Sequence, residues 1–214
     1  MGREFLEIFT EWAESYDWFV QGNDPQYQEV FRDYDEILND IVQKSGNWVL
    51  EFGVGTGNLT QKLVDAGKTV FAIEPSAQMR ELAQLKLEDK IQIHDGDLLK
   101  FPPPVFRVDT IVGSYVFHHL TDSEKTEAIE KYGFMLDRGG KAIFADTMFL
   151  SAEIRDKLIG QAKDSGHFDL AEDLEREYYP LMTTLKNIFE AAGFQVRFSQ
   201  FNEFVWIVEG EKIE

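Results

Sequence analysis

Gly53, Gly55 and Gly57 stand at alternate positions after an apolar, strand-like run that contains Glu51. Glycine has no Cβ, so such a segment can adopt positive φ and expose its amides and carbonyls to a small molecule. The dinucleotide fingerprint is G-x-G-x-x-G, and this chain has Asn58 where that pattern needs its third glycine. The spacing therefore predicts a loop for a nucleoside cofactor other than a dinucleotide.

Glu74 has the position expected of a ribose ligand. It directly follows Val70–Ile73, a short run typical of a buried strand. An acidic residue about 20 positions past a glycine loop, at the carboxyl end of a second strand, can accept hydrogen bonds from both ribose hydroxyls. The alternative is a solvated surface acid. We favour the ribose role because the glycine loop precedes it.

A third acidic residue follows the β-favouring run Ile91–Ile93. Asp97 is placed at a strand's carboxyl end, where ligands bind in open α/β sheets, and it can accept a hydrogen bond from the amino group of adenine. Neighbouring Leu98 offers an apolar surface to the ring. Asp95 is the competing candidate, and it is also a plausible turn residue. We favour Asp97.

These segments resemble the successive motifs of class I S-adenosylmethionine-dependent methyltransferases. The motifs are Glu51-Phe52-Gly53-Val54-Gly55-Thr56-Gly57, Glu74-Pro75-Ser76, Gly96-Asp97-Leu98 and the segment 109–120. With the segments 1–6 and 174–179, they make the chain similar to the YrrT family of these enzymes. The resemblance implies S-adenosyl-L-methionine as cofactor, with contacts at Gly53, Glu74 and Asp97. We expect further cofactor contacts at Gly55, Gly57, Leu98 and Ser114, and indirect support of the methionine ammonium by Glu51.

His118 and His119 are the candidate catalytic residues. They follow the predicted fourth strand, and an imidazole with a pKa near neutrality suits a base that removes the acceptor's proton. The alternative is a packing role, because His-His-Leu occurs in class I methyltransferases of differing chemistry. No metal ligand set is predicted. Asp146, after the fifth strand, is a lone ligand at most and is better explained as a capping or pocket acid.

The predicted reaction is in-line methyl transfer to a small-molecule acceptor. Ser114-Tyr115-Val116-Phe117 stands where amide and base methylases carry an Asn-Pro-Pro-Tyr-type motif. The metal-binding acid that catechol-type enzymes place after strand four is also missing from the sequence. Two other classes stay open. The first is a non-catalytic S-adenosylmethionine-binding sensor or regulatory subunit, since a fold and a cofactor do not establish turnover. The second is a nucleotide-dependent oxidoreductase.

Composition restricts the partners. The 214 residues include 39 acidic and 21 basic side chains, a net charge of −18 that disfavours nucleic acid. There is no cysteine, so disulfides and thiolate metal sites are excluded. No apolar run reaches the length of a membrane span, and the N-terminus lacks the apolar stretch of a signal peptide. We expect a cytoplasmic protein that does not bind membranes.

The elements that must position these residues alternate between strands and helices. They predict an α/β fold: a Rossmann-like, doubly wound, seven-stranded sheet, mostly parallel with one antiparallel strand. We expect one domain with a helical N-terminal cap over 1–44 and a cofactor-binding core over 45–146. A helical insertion over 147–182 and a final helix with a β-hairpin over 183–214 complete it.

The acceptor site is expected under the N-terminal cap and the insertion. Trp12, Tyr16 and Trp18 are candidates for a lid, although aromatic residues at helical spacing are more often part of a core. Tyr16-Asp17 resembles a segment that many methyltransferases place over the methionine end of the cofactor. Tyr16 is therefore the preferred lid residue and an additional cofactor contact.

Overall fold

Seven strands form one sheet in the computed structural model, which describes residues 15–88 and 90–213. Their spatial order is β3-β2-β1-β4-β5-β7-β6. The strands are β1 Trp48–Phe52, β2 Thr69–Ile73, β3 Ile93–His94, β4 Thr110–Ser114, β5 Lys141–Thr147, β6 Phe194–Gln200 and β7 Val205–Lys212.

Strand β7 is the reversed strand of the sheet. It pairs antiparallel with both β5 and β6, while β1 to β5 pair in parallel. Only four residues join β6 to β7, and a connection that short permits only an antiparallel pair. The predicted doubly wound sheet with one antiparallel strand is confirmed.

Eight α-helices connect or cover these strands within the described residues. They are α1 Tyr16–Trp18, α2 Tyr34–Lys44, α3 Asn58–Asp65, α4 Ala77–Lys86, α5 Asp122–Met135, α6 Ala152–Asp164, α7 Phe168–Arg176 and α8 Met182–Ala191. Two of these helices begin at a side-chain cap. The Ser76 side chain accepts a hydrogen bond from the Met79 amide, and Thr121 with Glu124 forms a reciprocal capping box at α5.

The helical pattern predicted from Glu4 to Lys44 is only partly correct. Residues 4–14, which include Trp12, lie outside the described part of the chain. A π-helical turn, Phe19–Asn23, follows α1, and the backbone then runs through turns until α2 begins. Gly22 and Asp33 have left-handed φ values of 76° and 64°, which a continuous helix cannot contain.

Strand β3 is also shorter than the run Ile91–Ile93 suggested. Only Ile93 and His94 pair, through parallel bonding to Ala72 and Ile73 of β2. As the edge strand of the sheet, β3 has a neighbour on one side alone, and edge strands are often short. Because β3 ends at His94, the segment that contains Asp97 lies near the ends of β1 and β2.

The core consists of two apolar layers, one on each face of the sheet. Leu50 and Phe52 of β1 belong to the layer covered by α5 and α8. Val49 points to the opposite face, which α2, α3, α6 and α7 cover. Side chains alternate along a strand, so Glu51 shares the face of Val49. The predicted helical insertion thus packs beside α2.

Within the described residues, no helix combines the length and apolarity that a bilayer span requires.

Candidate active site

The glycine loop begins where β1 ends. Gly53 has a φ of 68°, and a Cβ at this position would lie 2.6 Å from Cγ2 of Val116. Both the left-handed backbone and the lack of space require glycine here. The chain can therefore turn sharply at the carboxyl end of a central parallel strand, the edge at which open α/β sheets bind ligands.

Glu74, directly after β2, holds this loop through hydrogen bonds. Its Oε2 accepts a hydrogen bond from the Gly55 amide at 2.9 Å, and its Oε1 accepts one from the Ser76 amide at 2.8 Å. Burial raises the pKa of the Glu74 carboxyl to about 7, although these two amides oppose the shift. A carboxylate offers about four acceptor positions, so about two remain for a ligand.

The structure separates Asp97 from its competitor Asp95. Asp97 is buried, and its Oδ1 accepts hydrogen bonds from the amides of Leu99 and Lys100, which fixes the carboxylate after β3. Asp95 is exposed and lies 3.5 Å from Arg80. Of the two acids, only Asp97 lines the cavity that the strand ends enclose.

This first cavity lies at the carboxyl ends of β1, β2 and β4. Eight of the predicted site residues lie in its wall: Tyr16, Gly53, Gly55, Glu74, Asp97, Leu98, Ser114 and His119.

Three other predicted site residues are not in that wall. Glu51 is fully buried on the face toward α2, and burial together with the charge of Glu74 raises its pKa to about 8. Gly57 faces α4, where a Cβ would lie 3.4 Å from Cβ of Ala83, so its role is close packing. His118 lies beyond the first cavity.

A second cavity adjoins the first, and Tyr16, Tyr115 and His119 belong to both walls. Its aromatic wall comes from the N-terminal segment, the segment after β4 and the segment after α7. The aromatic residues are Tyr16, Phe19, Tyr27, Phe31, Tyr115 and Tyr179, and the acidic residues are Asp146, Asp173 and Glu177.

His118 is held between two of these acids. Its Nδ1 donates to Oδ1 of Asp146 at 2.7 Å, and its backbone amide donates to the other oxygen of Asp146. Its Nε2 lies 3.1 Å from Oε2 of Glu177. Burial alone would lower the pKa of His118, but the two carboxylates outweigh it and raise the pKa.

His119 has the opposite electrostatic setting. Its ring meets the ring of His118 edge to face, with centroids 4.1 Å apart. Burial, and the neighbouring charge of His118, lower the pKa of His119 well below its ordinary value. The surroundings therefore favour the protonated form of the His118 imidazole and the neutral form of the His119 imidazole. A neutral imidazole can offer a lone pair to the cavity.

The predicted lid residue Tyr16 is anchored through Asp17. The Asp17 carboxylate accepts hydrogen bonds from Thr56 Oγ1 at 2.6 Å, Asn58 Nδ2 at 3.1 Å and Lys86 Nζ at 2.6 Å. These partners belong to the glycine loop, α3 and α4, so Tyr16 is fixed over the first cavity. Trp18 is 54% exposed and lines neither cavity, which leaves Tyr16 as the lid candidate.

Known proteins with the same architecture are methyltransferases. A family model described as a methyltransferase domain matches residues 49–140. The chain is 57% identical over 212 residues to the uncharacterized methyltransferase YrrT of Bacillus subtilis, covering 99% of this chain and 100% of that protein. The chain belongs to the YrrT family of methyltransferases.

Solved methyltransferase structures share the fold of this YrrT-family member. Magnesium protoporphyrin IX methyltransferase of Synechocystis, with bound S-adenosylhomocysteine, superposes with a TM-score of 0.67 at 18% identity, covering 97% of this chain and 99% of that one. Human N-acetylserotonin methyltransferase with S-adenosylmethionine gives 0.68 at 16% identity, covering 100% of this chain and 57% of that one. These likenesses show that the YrrT-family chain has the fold of methyltransferases crystallised with S-adenosylmethionine or S-adenosylhomocysteine.

Several residues of the second cavity were not found from the sequence of this methyltransferase. Asp146 was recognised only as a possible pocket acid, and Tyr27, Asp173 and Glu177 were not singled out. Tyr27 donates a hydrogen bond to Asp173, and Tyr179 donates one to Glu177 at 2.8 Å. Tyr27 and Asp173 are 146 positions apart, and Glu177 and Tyr179 lie in the irregular segment after α7, so no helical or strand spacing indicates either pair.

Proposed function

We propose that this methyltransferase acts on a small-molecule acceptor that binds in the second cavity. The observation that carries the proposal is the shared wall: Tyr16, Tyr115 and His119 border both cavities. A cofactor in the first cavity can then present its methyl group to an acceptor in the second.

The cofactor contacts are assigned from the first cavity. Glu74 is positioned for the ribose hydroxyls and Asp97 for the adenine amino group, with Leu98 against the ring. Gly53 and Gly55 leave room for the ligand beside the backbone. Ser114, Tyr16 and the loop complete the enclosure, with Tyr16 on the methionine side. Glu51 and Gly57 support the loop from behind the wall rather than touching the cofactor.

The chemistry requires alignment more than acid–base catalysis. The sulfonium of S-adenosyl-L-methionine supplies an already activated methyl group. A site that holds the nucleophile in line with it can contribute about 7–11 kcal/mol. A general base adds about 10²–10⁴-fold in rate. His118 and His119 border the place where the nucleophilic atom has to lie, so both can orient that atom, and the neutral imidazole of His119 can receive its proton.

An acceptor screen tests the proposal. The full chain is incubated with methyl-labelled S-adenosyl-L-methionine and pools of small alcohols, amines and thiols, and the products are analysed by mass. We expect label in one acceptor class and S-adenosylhomocysteine formation that depends on that acceptor. Acceptor-dependent turnover also distinguishes an enzyme from a non-catalytic sensor of the cofactor.

Two variants control the screen. Asp146→Asn changes the acid that holds His118 in the second cavity, and we expect turnover to fall at least tenfold with cofactor affinity unchanged. Asp95→Asn changes an exposed acid that lines neither cavity and should leave turnover unchanged. Label found only in a macromolecular fraction would refute a small-molecule acceptor. The predicted cytoplasmic location stays a prediction.

A further inference from the structure

We propose that His118, His119 and Glu177 bind one divalent transition-metal ion at the junction of the two cavities. Ligand atoms of these three side chains lie within 4.8 Å of one another, and the sequence had predicted no metal site here. His118 and His119 are buried, and Glu177 is largely so. The set differs from an exposed acidic cluster because two of its three members are neutral-nitrogen ligands.

The hydrogen bonding of His118 matches that of a metal ligand. Metal-binding histidines commonly donate their second ring N–H to a carboxylate, which fixes the tautomer and directs the other nitrogen at the metal. Here Nδ1 donates to Asp146 at 2.7 Å, and Asp146 is itself fixed by the backbone amides of His118 and Thr147. The lone-pair position of His118 is thereby set on Nε2, toward Glu177.

The distances suit a zinc-like ion. Two ligands with bonds of about 2.0–2.2 Å stand roughly 3.4 Å apart at the tetrahedral angle. His118 Nε2 and Glu177 Oε2 are 3.1 Å apart, so an ion can bridge them with little movement, replacing the proton they share. His119 is the third ligand, and its ligand atom lies within 4.8 Å of those of His118 and Glu177.

Charge and coordination favour the same class of ion. The carboxylates of Asp146 and Glu177 flank His118, so a divalent cation here meets two negative charges. Two histidines and one carboxylate form the ligand set of catalytic Zn²⁺ and of non-haem Fe²⁺ sites, which keep further positions open. His118, His119 and Glu177 all line the second cavity, so an ion held by them could take an oxygen or sulfur atom of a ligand bound there. Only this last role depends on the proposed acceptor site.

Metal titration tests the proposal directly. The full chain, without a histidine tag and stripped by a chelator, is titrated with Zn²⁺ by calorimetry and with Co²⁺ by visible absorption. We expect about one ion per chain and a Co²⁺ spectrum of nitrogen and oxygen ligands, because the chain has no cysteine. His118→Ala and Glu177→Gln should each weaken Zn²⁺ binding at least 100-fold. Asp146→Asn should weaken it about 10–100-fold.

His167→Ala is the matched control, since this histidine lines neither cavity and its removal should leave Zn²⁺ affinity unchanged. S-adenosylhomocysteine affinity is measured for every variant to verify the fold, because His118 and Glu177 are outside the first cavity. Glu177→Gln keeps the side-chain shape if His118→Ala does not fold. A wild type that binds neither ion, or variants that bind Zn²⁺ like the wild type, would overturn the site. The acceptor screen without added metal tests the enzyme's function separately.

Discussion

The Glu74 carboxylate both stabilises the glycine loop and lines the first cavity. It accepts amide hydrogen bonds from Gly55 and Ser76, which hold the loop, and it lines the first cavity. Hydrogen bonds to a charged group contribute about 1.5–3 kcal/mol each in favourable cases. The residue therefore affects ligand affinity both by direct contact and by keeping the loop in shape.

Glu74→Ala should weaken S-adenosylhomocysteine binding about 10–100-fold while the protein stays folded. The physical reason is the loss of the ribose acceptor together with the loop anchor. Calorimetry measures the affinity, and circular dichroism verifies the fold. Asp95→Asn, at an exposed acid nearby, serves as the control and should bind normally. Equal affinity in Glu74→Ala and wild type would refute the ribose assignment.

At the scale of elements, α1 is held to the cofactor side by one short chain of polar contacts. Asp17 connects it to the glycine loop and to Lys86 on α4. The Asp17 side chain is 42% exposed, and such ion pairs contribute only about 0.2–1 kcal/mol to stability. The contact therefore matters more for the position of Tyr16 than for folding.

Asp17→Ala should lower S-adenosylhomocysteine affinity about tenfold and stability by under about 1 kcal/mol. The expected cause is freedom of Tyr16 to leave the first cavity. Asp35→Ala removes a comparable ion pair, with Lys62 at 2.6 Å, that is remote from both cavities. Affinity and thermal unfolding are measured for both variants. If the two variants bind alike, Asp17 does not position the lid.

Hydrogen bonds from α5 and from the segment after α7 bring His118 close to Glu177. Lys125 on α5 is fully buried and donates hydrogen bonds to the carbonyls of Leu120 and Tyr178. The Tyr178 amide also donates to the carbonyl of His118 at 3.1 Å. These bonds join the 3₁₀ turn Phe117–His119 to the segment after α7. The junction between the cavities is thus built by contacts between distant parts of the chain.

At the scale of the whole molecule, two buried acids make stability depend on pH. Burial raises the pKa of Glu51 to about 8 and that of Glu74 to about 7, from an ordinary value of 4.5. The folded state therefore holds protons that the unfolded state releases above about pH 4.5. Their contribution to stability is fully present below that pH and is lost as pH rises through the folded pKa values.

Glu51→Gln should match the wild type near about pH 5 and exceed its free energy of unfolding by about 2–4 kcal/mol near about pH 8. Glutamine is neutral at both pH values, so it avoids the cost of a buried charge. Urea unfolding at the two pH values gives the comparison. Glu203→Gln, at an exposed acid, should change neither value. A wild type and Glu51→Gln variant with parallel pH profiles would show that Glu51 is ionised when folded.

The sequence predicts the helices, strands and turns better than the tertiary contacts between them. The glycine turn, the Ser76 cap and the Thr121 capping box are local, because each depends on neighbours within a few residues. The left-handed turn at Gly22 interrupts the helix, and the helical spacing of the aromatic residues did not indicate it. Likewise, Glu177 reaches His118 only through packing between the insertion and the 3₁₀ turn, so no sequence spacing could indicate it.

Strand β7 lies between β5 and β6, so the sheet cannot grow in the order in which the ribosome makes its strands. β6 is synthesised first but pairs with β7 alone among the described strands. Until residues 205–212 arrive, β5 presents an open row of backbone donors and acceptors, a known hazard for aggregation. Truncation before Val205 would therefore cost two strands, and a nascent chain would depend on prompt release or a chaperone.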